Sequence, residues 1–123
     1  MGVGMPQDLL LNEFGSQVWA AFGDCPYHVG SSLTQKTGWR DVDVRLILPD
    51  YLYEAMGLGD PKHAHQNARW VSFALAFSAL GKAMTGLPID FQIQQQTAAN
   101  EEFKGVRSAL GIVPLRLKQL EAK

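Results

Sequence analysis

The chain has 123 residues, 46% of them hydrophobic and 19% charged, with a net charge of −1. That length suits one domain, 1–123, able to bury a core without covalent staples. The near-neutral balance lacks the clustered Lys and Arg of an extended DNA-binding surface.

The first segment, "DLLLNEFGSQVWAAF" (8–22), carries Leu10, Leu11, Phe14, Val18, Ala21 and Phe22 near one face at helical spacing. Asp8 and Glu13 replace the basic stretch of a secretory leader, so none is expected. Gly23 and Pro26 stop this helix. Cys25, the single cysteine, rules out an internal disulfide and reads as a buried or half-buried thiol in a reducing cytoplasm. "YHVGS" (27–31) is expected to be a short strand running into a turn, and 32–40 a polar loop.

Residues 41–48 alternate. Val42, Val44, Leu46 and Leu48 share one face of a strand; Asp41, Asp43 and Arg45 share the other. Pro49 ends it, and "DYLYEAM" gives one or two helical turns closed by Gly57. Asp60 and Pro61 form a cap and first-turn pair, predicting a long helix over about 62–84. Its middle, "WVSFALAFSAL" (70–80), is too short for a membrane span and is followed by Lys82, so it is expected to lie deep against a sheet. "PIDFQIQ" (88–94) alternates again, with Ile89, Phe91 and Ile93 inward and Asp90, Gln92 and Gln94 outward. A short helix over 97–104 ends at Gly105; Pro114 interrupts the tail from about Val106, and "LRLKQLEAK" (115–123) reads as either a helical turn or a frayed end. The order helix, strand, strand, helix, strand, helix predicts an α/β (α+β) fold: a small mixed sheet with helices packed on one face. The other face would be open and would carry three aspartates.

Asp41 and Asp43 share a strand face by periodicity, and Asp90 lies on the polar face of another strand. If the strands are neighbours, three like charges converge, a conflict relieved by a bound cation or a raised pKa. All-oxygen ligands suit Mg²⁺ or Mn²⁺. Two such ions side by side serve phosphoryl or nucleotidyl transfer. Ahead of them, Gly30 allows a triphosphate to approach the backbone, and the Ser31 hydroxyl can hold phosphate oxygens.

The run "V-G-S", nine residues, then "D-V-D-V", with "I-D-F" on a later strand, resembles the signature of the DNA polymerase β-like nucleotidyltransferase superfamily. The likeness covers about residues 8–95, and the size and the "TGLPIDFQIQ" run look like the small stand-alone members of bacteria and phages. It implies that Gly30 and Ser31, with Ser32 and Lys36, hold a nucleoside triphosphate. It implies that Asp41, Asp43 and Asp90 bind two Mg²⁺ (or Mn²⁺) ions and carry catalysis. The acceptor would be a hydroxyl on a protein, an RNA or a small molecule, in a cytoplasm (the host's, for a phage protein), with no membrane partner and the oligomeric state left open. The departure is in "SLTQK": small members place an Arg soon after the Gly-Ser, whereas the nearest cation here is Lys36, with Arg40 and Arg45 beyond. The competing reading is the same fold without turnover, binding a nucleotide or a partner protein.

Other residues have blander readings. Arg45 is better placed as a counter-ion for Asp43 than as a phosphate ligand. His63 and His65 point apart on a helix and read, with His28, as no metal site. Trp39 fits either base stacking or capping of the core edge. Gln92 and Gln94 either orient substrate or face solvent. Arg69 and Trp70 are assigned to packing and surface, and Arg107 and Arg116 to the surface.

Overall fold

The computed structural model describes residues 2–35, 37–103 and 105–111. Lys36 and everything after Gly111, including Arg116, lie outside the described residues.

Helix α1 spans Gln7–Phe22 and buries Leu11, Phe14, Gly15 and Val18. It ends at Gly23, whose N–H donates to the Trp19 carbonyl at 2.7 Å. Strand β1 (Pro26–Val29) follows, then a short helix α2 (Ser31–Thr34), strand β2 (Val42–Leu48) and helix α3 (Asp50–Ala55). A 3-10 segment (Pro61–Gln66) precedes helix α4 (Ala68–Thr85), strand β3 (Ile89–Gln95), helix α5 (Gln96–Glu102) and strand β4 (Ser108–Ala109). Sequence patterning did not mark α2 or β4: each is too short for a period to show.

The four strands lie in the order β3-β2-β1-β4. β1 runs antiparallel to β2 and β4, while β2 and β3 run parallel, so the sheet is mixed as expected. The alternation of β2 is obeyed at every residue: Val42, Val44, Leu46 and Leu48 are buried, with partly exposed residues between them. β3 repeats this with Ile89, Phe91 and Ile93. These residues meet α1 and α4, and Phe77 lies 5.3 Å from Phe91 and 5.1 Å from Phe22, ring centre to ring centre.

Two expectations for the long helix are corrected. Asp60 caps the 3-10 segment, accepting from the Lys62 N–H, and the chain kinks at His63. Asn67 is the cap of α4, accepting from the Trp70 N–H at 2.9 Å. Nor is α4 deep: Leu75 is 68% exposed, and among its residues only Gly81 and Thr85 are fully buried. Helix α4 packs on β3 and α1, which cover one side of it and leave the rest toward solvent. Among the described residues β3 is an edge strand, and α4 closes that edge. The Phe91 N–H of edge strand β3 donates to Ser78 Oγ at 2.9 Å, and the Trp70 indole N–H donates to the Ile93 carbonyl at 2.8 Å.

Candidate functional site

The site sits where one end of three strands meets. β2 and β3 are parallel, so their N-terminal ends lie together; antiparallel β1 delivers its C-terminal end to the same place. In register, Asp43 faces Val29 on one side and Asp90 on the other. Gly30, next along the chain from Val29, is therefore carried over Asp43.

That contact explains the glycine. Gly30 adopts φ 80° and ψ −167°, a region open in practice to glycine alone. A Cβ there would run into Asp43 Oδ2. The backbone of the turn thus lies directly on the carboxylate.

Asp43, Asp90 and Arg45 form one polar cluster. The Arg45 guanidinium stands 3.5 Å from Asp43 Oδ1 and 3.3 Å from Asp90 Oδ2. Arg45 Nη1 also donates to the Asp90 carbonyl at 2.6 Å. The counter-ion reading of Arg45 holds, extended to a second acid. Burial pushes the Asp43 carboxyl above its ordinary range; Arg45 opposes this, and the charges of Asp90 and Asp41 reinforce it. Asp41 lies one residue before β2 and is exposed.

The Gly-Ser serines part company. Ser32 is fully buried, and its hydroxyl pairs with His28 Nε2 at 2.7 Å. It braces the turn from inside the fold, which leaves Ser31, partly exposed, as the hydroxyl at the turn itself. His28, also buried, has its pKa lowered by burial, partly offset by the charge of Asp8. Trp39 packs partly buried against the core, which favours the capping role.

A half-open cleft of about 540 Å³ runs from this cluster along the polar face of the sheet. Gly30, Asp43 and Arg45 form one end; Val29, Ile47, Phe103 and Val106 give it apolar walls. Gln94 lines it as well, while Gln92 lines a separate hollow and reaches toward Asp90 at 3.5 Å. Sequence reasoning missed the apolar wall. Ile47 was the available signal: it is an apolar residue in phase with Asp43 on the polar side of β2. Phe103 and Val106 gave none, since their place depends on the chain crossing back to β4. Arg107 also lines the cleft, and it is more tied down than a surface residue: it donates to Asn100 Oδ1, the Ala99 carbonyl and the Phe103 carbonyl.

The donor chemistry fits a hard divalent cation: Asp43 and Asp90 face each other, and the Asp41 charge is felt at Asp43. Among the described residues, no three His, Cys, Asp or Glu side chains are gathered closely enough to hold an ion by themselves. Also among the described residues, no helix is long and apolar enough to cross a membrane. No protein-family model matches the chain, and comparison with curated proteins and with solved structures finds no match either.

Proposed function

We infer that the protein is a metal-dependent nucleotidyltransferase that moves a nucleoside monophosphate from an NTP to an acceptor hydroxyl. The observation that carries this reading is the convergence at one sheet end: the Gly30–Ser31 turn lies on Asp43, and Asp90 stands directly across from Asp43. Asp43 and Asp90, with Asp41 beside them and oxygens of the bound triphosphate completing the set, would hold Mg²⁺ or Mn²⁺, which when bound lowers the pKa of the acceptor hydroxyl and offsets charge on the phosphates. Gly30 keeps the turn free of a side chain, so the triphosphate approaches the backbone, with the Ser31 hydroxyl as a donor to a phosphate oxygen. Asp90 orients the acceptor and takes its proton. The acceptor oxygen then bonds to the α-phosphorus as the bond to the departing pyrophosphate breaks. The cleft beyond Asp43, with Val29, Ile47, Phe103 and Val106 along it, supplies apolar surface for the rest of the nucleotide.

One observation favours a second reading, a nucleotide- or partner-binding module without turnover. Arg45 already engages both acids, so each has a counter-ion within the fold without any bound metal. Incubation with each α-labelled NTP, Mg²⁺ or Mn²⁺ and candidate acceptors separates the two, with Asp43→Asn as control. Label transfer by the wild type alone supports the transferase. Nucleotide and metal binding without transfer leaves the module.

A further inference from the structure

Arg45 lies on the same face of β2 as Asp43, and its side chain is 13% exposed against 27% for Asp43 and 38% for Asp90. The Arg45 side chain is thus the least exposed of the three. Its hold is not only through charge: Nη1 donates to the main-chain carbonyls of Asp90 at 2.6 Å and Val44 at 3.2 Å. Nη2 turns to Asp43 Oδ1 and Asp90 Oδ2, on two residues that are register partners across the parallel pair. A divalent ion seated between these acids needs the same oxygens, and two cations side by side repel.

We propose that Arg45 is a built-in counter-cation that sets the divalent-ion affinity of the Asp43–Asp90 pair, competing with the ion for their carboxylate oxygens. This rests on the reading of that pair as a cation site. When no ion is bound, Arg45 keeps two facing acids neutralised within the sheet. When one binds, Nη2 gives up the carboxylates while the main-chain bonds of Nη1 hold the side chain in place. Arg45 acts through the acids and is a positioning residue. A fork shape matters here, because a lysine ammonium cannot serve the two carbonyls and the two carboxylates from one rigid plane.

The test is titration with Mn²⁺ alone, without nucleotide, followed by electron paramagnetic resonance of free Mn²⁺ and by calorimetry. Wild type, Arg45→Gln, Arg45→Lys and Asp43→Asn are compared, with circular dichroism to check folding. Arg45→Gln is expected to bind Mn²⁺ about tenfold more tightly than wild type, the effect of removing one neighbouring like charge. Arg45→Lys should fall between the two, and it carries the comparison if Arg45→Gln does not fold. Added Mn²⁺ should raise the melting temperature of Arg45→Gln more than that of wild type. Wild-type binding with unchanged or weaker affinity in the Arg45 variants overturns the proposal and leaves the cation site standing. Absence of Mn²⁺ binding in every variant removes the cation site and the proposal together.

Discussion

Replacing Gly30 by alanine tests the contact on which the site is built. Two costs arise from the structure. The backbone at φ 80° and ψ −167° holds a non-glycine residue only with strain of about 1–3 kcal/mol. The new methyl also displaces the Asp43 carboxylate, whose Cγ would lie 3.3 Å from it, and so disturbs the 3.5 Å contact with Arg45, worth about 0.5–1 kcal/mol. Restricting the unfolded chain returns about 0.4–1 kcal/mol. The net loss is about 1–3 kcal/mol, or a fall in melting temperature of roughly 4–12 °C. Urea unfolding and thermal melts of wild type, Gly30→Ala, Asp43→Ala and the double variant give the cycle. In the Asp43→Ala background the methyl has nothing to displace, so Gly30→Ala should cost less there. Gly38→Ala is the control: Gly38 has φ 85° and open space around it, so the substitution brings backbone strain alone. An undiminished cost in the double variant, or a Gly30→Ala no worse than Gly38→Ala, would refute the packing of the turn on Asp43.

Four further outcomes are expected. Because burial and neighbouring acids raise the Asp43 pKa above 3.8, the folded state holds that proton more tightly than the unfolded chain. Stability from this group is present in acid and is lost as pH rises through the folded value. Without metal, Asp43→Asn should therefore melt higher than wild type at pH 7, with the difference closing below about pH 4; a lower melting point at pH 7 would make Asp43 a structural residue. His28 has the opposite sign: burial lowers its pKa from 6.5, so stability is lost as pH falls below 6.5 toward the folded value. Urea midpoints at acid and neutral pH should show this slope in wild type and a flatter one in His28→Phe. Ser32→Ala should cost about 1–3 kcal/mol by leaving the buried imidazole nitrogen unpaired, and a neutral result would count against the brace. Ser78→Ala should leave the Phe91 N–H on the sheet edge without its partner, and amide exchange at Phe91 should accelerate. Unchanged exchange there would mean that α4 does not seal the edge.

The elements themselves were largely legible in order and type. The period of two in "DVDVRLIL" and "PIDFQIQ" is a direct imprint of a half-buried strand, and both strands bury the residues that the alternation names. Helix α4 shows where local reading fails. An apolar run says that a segment seeks cover, but the number of layers available to cover it is a property of the whole chain. Ser78 and Trp70 likewise look unremarkable until β3 is known to be an edge strand.

For the site, the sequence by itself determined the residue types: small residues at a turn, then paired acids on one strand face and a third acid on another. It also determined that Asp43 and Arg45 share a face, because alternation is a local consequence of extended backbone, whereas Asp41, read onto the same face, lies just ahead of the strand. Only the tertiary structure decided that β2 and β3 are adjacent, parallel and in a register that sets Asp43 opposite Asp90. Only the tertiary structure turned Ser32 inward to His28, laid Gly30 on Asp43, and slipped Arg45 between the two acids. Apart from the Ser32–His28 pair, which bridges the end of β1 and the turn, those facts rest on residues far apart in the chain, as when Arg45 meets Asp90, where no local period operates and the packing of the whole core sets the register.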